Sequence, residues 1–185
     1  MRSLFALVRK DLKGYLDQPT GYILIVLFVG VISWFFFFVT GFNVEAQASV
    51  RQLFTMLPWI LLVLVPASTM RLLAEEQRDG TLETLLTQPI QAWLVLVAKF
   101  LSGLAFVAVA ILATLGIPIL IGTAGDLDEG GVIAQYVGSL FLAASFVSIG
   151  LFTSSLTRNQ IVAFIVGLAT TSILMLIGLD AVAST

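Results

Sequence analysis

The chain contains no cysteine and no histidine. Disulfides, thiolate nucleophiles, zinc or haem sites built on these ligands, and imidazole acid–base chemistry are therefore excluded. Charge is scarce as well: Asp, Glu, Lys and Arg make up 11% of the 185 residues, less than half of the roughly 25% usual in a soluble domain. No G-x-x-x-x-G-K-[ST] run occurs, so the chain has no phosphate-cradling P-loop of its own. Residues 1–17 mix Arg2, Arg9, Lys10, Asp11, Lys13 and Asp17 with apolar side chains and hold no long apolar core, which is unlike a signal peptide.

What is abundant is apolar. Hydrophobic residues make up 59% of the chain, and the mean hydropathy is +1.07. A soluble domain of this size has too small a core to hide that much apolar surface. The composition excludes a soluble enzyme, a disordered chain and a nucleic-acid binder, and predicts a multi-span membrane protein. Five stretches, at 21–42, 52–70, 93–122, 132–153 and 160–179, reach the roughly 20 residues that a spanning helix needs. Their apolarity is continuous rather than alternating, which favours helices over a barrel. The expected fold is therefore all-α, a polytopic helix bundle forming one transmembrane domain over residues 1–185. The long third stretch holds Lys99 and Pro118, and a tilt or a proline kink accommodates its excess length. Pro58 and Pro66 are expected to kink the second stretch near the following loop. No internal repeat or low-complexity linker is visible, and Phe35–Phe38 reads as lipid-facing or interhelical bulk.

The basic residues set the orientation. With the N-terminus in the cytoplasm, Arg2, Arg9, Lys10, Lys13, Arg71, Arg78, Lys99 and Arg158 lie inside and Arg51 alone lies outside. The outer loop at Asp126, Asp128 and Glu129 carries no positive charge. Residues 2–17 read as an amphipathic interfacial helix. Leu4, Phe5, Val8, Leu12 and Tyr15 share one face, and Arg2, Arg9, Lys10 and Lys13 gather opposite, as beside anionic headgroups. Gln18-Pro19-Thr20-Gly21 then turns the chain into the membrane.

The cytoplasmic loop 71–92 is the most informative segment. Arg71, Glu75, Glu76, Arg78, Asp79 and Glu83 fall within 13 residues. Arg71 and Glu75 are spaced to pair on a helix, and Arg71 could equally meet a lipid phosphate. Asp79-Gly80 makes a turn. Thr81 suits the N-cap of a second short helix, with Glu83 in its first turn and Leu82, Leu85 and Leu86 on one apolar face. Pro89 ends that helix at or before Gln88. Its apolar face either packs against the membrane surface or the neighbouring helix, or docks in a groove of a cytoplasmic partner.

Within the spans, Lys99 is expected to snorkel its ammonium to the cytoplasmic surface. Thr114, Ser139, Ser145, Ser148, Thr153, Thr170, Thr171 and Ser172 are expected to bond between helices. Gly103, Gly116, Gly138, Gly150 and Gly167 are expected to mark close helix packing.

The run Arg71-x-x-Ala74-Glu75-Glu76-x-x-x-Gly80-Thr81-x-Glu83-x-Leu85-Leu86-Thr87-x-Pro89 resembles the signature loop of ABC-2 type permeases. It is most similar to the branch that includes gliding-motility-associated and nitrous-oxide-cluster permeases. Arg9-Lys10-Asp11-Leu12 and the loop Ser155–Gln160 resemble further features of that family. Members of the family usually have six spans, so the resemblance implies a sixth beyond the five visible here. It also implies a multi-pass subunit of a bacterial or archaeal inner-membrane transporter, with export the commoner direction. A second permease, as homo- or heterodimer, and a separate P-loop ATPase are the implied partners, alongside the lipid bilayer. ATP and Mg belong to the ATPase, and the permease itself is neither an enzyme nor a cofactor carrier. Carried over by position, the coupling helix falls at Thr81–Gln88. The ATPase-coupling set is Glu75, Glu76, Arg78, Gly80, Thr81, Leu82, Glu83, Leu85 and Leu86, and Arg9, Lys10 and Lys13 mark the interfacial helix. Other readings of the residues are an ATP-independent secondary transporter or channel and a non-transporting assembly subunit. An intramembrane enzyme finds no catalytic set in the spans.

Overall fold

The computed structural model describes residues 2–39, 50–81, 91–123 and 128–183, and every regular element among them is helical. Helix α1 (Arg2–Asp17) ends at Gln18, whose extended backbone (φ −94°, ψ 135°) admits Pro19 as the first residue of α2 (Pro19–Trp34). Proline is well placed there, because a first-turn N–H has no intrahelical partner to lose. Gly21 is buried directly under the Tyr15 carbonyl, where a Cβ would collide with it, so the corner between α1 and α2 is tight. Beyond Trp34 the helix widens into a π-helical turn at Phe35–Val39.

Helix α3 (Arg51–Thr69) runs unbroken through Pro58 and Pro66. It ends at Met70, whose N–H bonds the Pro66 carbonyl at 2.9 Å, before α4 (Arg71–Arg78) begins. The second apolar segment therefore extends from Arg51 to Arg78, further than its apolar run alone implies. Helix α5 (Ala92–Ala113) stops at Thr114–Leu115 and resumes as α6 (Gly116–Gly122). This break lies one turn before Pro118, where a proline ring clashes with the carbonyl four residues back. Helix α7 (Glu129–Ser155) starts at Asp128, whose carboxylate accepts the Gly131 N–H at 3.1 Å. Helix α8 spans Gln160–Ala183. Five helical segments, Pro19–Phe38, Arg51–Arg78, Ala92–Gly122, Glu129–Ser155 and Gln160–Gly178, are long and apolar enough to cross a membrane. The chain is a polytopic membrane helix bundle.

Helices α3, α5 and α7 form its centre. Leu57, Leu61 and Val65 meet Val107, Ala110 and Ile111 and Ala143 and Val147, all fully enclosed. Helices α2 and α8 lie outside, with Val26, Leu27, Ile161, Ile165, Ile173 and Leu176 turned outward, as hydrocarbon surroundings require. Helices α3 and α7 approach so closely that a Cβ on Gly150 would collide with the Thr69 hydroxyl. Gly103 and Gly167 also have close neighbours, whereas a Cβ at Gly116 or Gly138 would meet nothing within 4 Å. The packing role expected of these last two glycines is not realised in the bundle.

The intramembrane hydroxyls mostly bond within their own helices. Thr114 reaches Tyr136 across the α5–α7 boundary at 2.9 Å. Ser139, Ser145, Ser148, Thr153, Thr170, Thr171 and Ser172 each donate to a carbonyl three or four residues back. The expectation of interhelical bonding is corrected accordingly. In apolar surroundings the helix's own carbonyl is always within reach, whereas a partner across the interface must be supplied by packing.

Candidate functional site

The basic ends of α1, α4, α5 and α7 converge. Helix α4 is short, with one apolar face (Leu72, Leu73, Ala74) buried in the bundle. Its first backbone N–H groups would have no partner inside the helix. The Ser154 hydroxyl, on α7, accepts from Leu73 and Ala74 N–H at 3.1 and 3.0 Å and donates to the Met70 carbonyl at 3.1 Å. Gln77 adds a second tie, donating its amide to the Ser155 carbonyl at 2.9 Å. Arg71 pairs with Glu75 at 3.2 Å, as its spacing predicts, and also donates to the Thr20 hydroxyl at 2.9 Å, joining α4 to the start of α2.

The deepest polar contact is ionic. Lys99 lies seven residues into α5, about 10 Å along the helix, and its side chain is only 4% exposed. Its ammonium contacts Glu76 Oε1 on α4 at 2.9 Å and Asp11 Oδ2 on α1 at 3.8 Å. The snorkelling expected of Lys99 is thus corrected. With α1 and α4 laid across the end of α5, the ammonium meets two carboxylates without reaching water, and a buried charge requires such partners. Glu76 and Asp11 are 20% and 14% exposed, and Glu76 Oε2 is buried without a hydrogen bond. Burial holds the Asp11 carboxyl above the usual carboxylate range. The Lys99 ammonium opposes that rise and the Glu76 carboxylate adds to it.

Tyr15 completes the seat of α1. Its ring stacks on Phe106 of α5 with centroids 4.6 Å apart, and its hydroxyl donates to the Ser68 carbonyl at 2.8 Å. Burial, reinforced by Asp11, pushes the phenol upward, so it remains a donor. A cleft of about 230 Å³ opens between α1 and α4, walled by Lys10, Asp11, Tyr15, Arg71, Glu75 and Glu76. Arg9, Lys10 and Lys13 of α1 are exposed.

Beyond Glu76 the chain turns outward. Arg78 pairs with Asp79 at 3.0 Å on the surface. Gly80 adopts φ +70°, which a side chain would strain, so the turn expected at Asp79-Gly80 has its reason in the backbone. The Thr81 hydroxyl donates back to the Glu76 carbonyl at 3.4 Å. Leu82, Glu83, Leu85 and Leu86, and with them the expected coupling helix, lie outside the described residues. Among the described residues no cluster of three or more Asp or Glu is arranged to hold a metal ion.

The spacing of α4's charges predicts the Arg71–Glu75 pair but not the contact of Glu76 with Lys99. Asp11 follows Leu4 by seven residues and Val8 by three, which puts it on the apolar face of α1. Lys99 shares the buried stripe of Val95, Ser102, Gly103 and Phe106. Both positions were visible as helical spacing. Ser154 carries no local sign, because its partners are 80 residues away.

No curated protein and no solved structure matches the chain. The family model described as ABC-2 family transporter protein matches residues 8–184, a span that contains the whole bundle, α4 and most of α1. The chain belongs to the ABC-2 transporter family, whose members are transmembrane components of ABC transporters.

Proposed function

We propose that this chain is the permease subunit through which a separate P-loop ATPase drives substrate across the membrane, and that export is the direction. The observation that carries this reading is the mounting of α4. Ser154, Gln77 and Arg71 bind it to α7 and α2, while its far end runs to the exposed Arg78-Asp79-Gly80 turn that leads into segment 81–88. A force applied to that segment enters the bundle through a short rigid helix. ATP binding closes two ATPase subunits, carries the coupling segments of two paired permeases inward, and shifts the pair between two packed states. Leu82, Leu85 and Leu86 supply the buried anchor at the ATPase surface. Glu83 sets register by charge at the rim. The composition of the 71–89 run supports placing the chain in the gliding-motility and nitrous-oxide-cluster branch.

A secondary transporter would place its ionisable groups near the middle of the membrane, at broken helices. Lys99 sits near one end of its helix, and the α5–α6 break at Thr114–Leu115 has only uncharged side chains at it. Affinity purification from the native host in mild detergent, followed by mass spectrometry, tests the proposal. A P-loop ATPase is expected at about one copy per permease, and a clean preparation without one overturns the reading. In the purified complex, Glu83→Lys should lower ATPase stimulation by the permease about tenfold, the effect of roughly 1.4 kcal/mol of lost coupling, while membrane insertion is retained. Unchanged stimulation would remove segment 81–88 from the contact.

A further inference from the structure

One ammonium faces two carboxylates at the basic end of the bundle, and they come from different elements. Lys99 holds Glu76 of α4 at 2.9 Å and Asp11 of α1 at the longer 3.8 Å. The second oxygen of Glu76 is buried and without a hydrogen bond, so the arrangement is not saturated even on its short side. Displacing the Lys99 ammonium by about 1 Å, well within the freedom of a four-carbon stem, would interchange the short and the long contact.

We propose that Lys99 is a positioning residue that exchanges between Glu76 and Asp11, holding α4 in the state described here and passing to α1 when α4 is displaced. Three features favour exchange over a static tie. A buried ion cluster gives little net stability compared with apolar packing of the same volume, so its presence is poorly explained by stability alone. Two carboxylates from different helices compete for one cation, and both lie within 4 Å of it. The remaining contacts of α1 do not depend on Lys99: the Tyr15 ring on Phe106 and its hydroxyl on Ser68 keep α1 seated while the ammonium changes partner. The cleft between α1 and α4 gives α4 room to move against α1. The exchange itself follows from this geometry. Its consequence for ATPase coupling rests on the function proposed above.

The absence of cysteine makes a direct test possible. Ala6→Cys and Asp79→Cys place spin labels at exposed positions on α1 and just past α4, and their separation is measured by pulsed electron resonance in lipid nanodiscs. Removal of the two carboxylates should act differently. Asp11→Asn should narrow the distribution around the main wild-type distance. Glu76→Gln should hand Lys99 to Asp11 and shift the distribution by several ångströms, about one helical turn at most. Charge reversal with Glu76→Lys, Lys99→Glu and Asp11→Asn together should restore the wild-type distance, and it preserves the test should Glu76→Gln alone fold poorly. Shifts of the same sign in Asp11→Asn and Glu76→Gln, or wild-type distributions in both, overturn the exchange. In the purified complex both single variants should reduce permease-stimulated ATP hydrolysis, because each favours one state, and full stimulation in both equally overturns it. A permease that purifies without an ATPase refutes the transporter reading, while the label distances still decide the exchange.

Discussion

The Ser154 hydroxyl serves a helix that lies 80 residues away in the chain. It accepts the Leu73 and Ala74 N–H groups in the first turn of α4 and donates its own proton to the Met70 carbonyl, so one side chain gives the buried Leu73 donor a partner and ties α7 to α4. Ser154→Ala should therefore cost about 2–3 kcal/mol, since it strands the buried Leu73 donor and cuts the tie between α7 and α4. Thermal unfolding of the purified permease should register that loss. Hydrogen exchange should quicken selectively at Leu73 and Ala74, and uniform exchange across the bundle would contradict the capping role. Lys99 was legible as an oddity, a cation in an apolar run, but its setting was misjudged. A lone helix allows a lysine to reach the surface. Here α1 and α4 cover the end of α5, and the ammonium finds Glu76 sooner than water.

At the scale of the elements, local signals served well where a backbone rule applied. Pro19 opens α2 and Gly80 forms the turn after α4, each for a reason contained in its own residue. Pro118 breaks its helix one turn upstream, between Ala113 and Gly116. Pro118→Ala should let α5 continue into α6 and protect the amides of Thr114–Ile117 from exchange by about tenfold or more, given that an interior proline costs roughly 3 kcal/mol. Unchanged exchange would mean that packing, rather than the proline, sets the break. Helix α3, by contrast, continues through Pro58 and Pro66. At its end α3 packs closely against α7, with Gly150 beneath Thr69.

For the whole molecule, the strongest sequence signal is the gathering of Lys and Arg at alternate connections. The fold brings α1, α4, the start of α5 and the end of α7 to one end, as the charge distribution requires of alternating spans. Sidedness can be measured directly in the cysteine-free chain. A cysteine at Arg158 should be labelled by an impermeant maleimide only from the cytoplasmic face of sealed vesicles, and one at Glu129 only from the other face. The reverse pattern would invert the topology, because eight basic residues would then lie outside.

The spans, their helical nature and the amphipathic character of α1 were determined by sequence alone. Each depends on the length of an apolar run or on spacing along a single helix, and a bilayer leaves the backbone few other ways to satisfy its hydrogen bonds. The partners of Lys99, the Ser154 cap and the seating of Tyr15 against Phe106 and Ser68 were decided only by the tertiary structure. These contacts join residues separated by 23 to 91 positions in the chain. A buried charge or an orphan amide requires a partner but does not specify which one. The packing of one helix across another makes that choice.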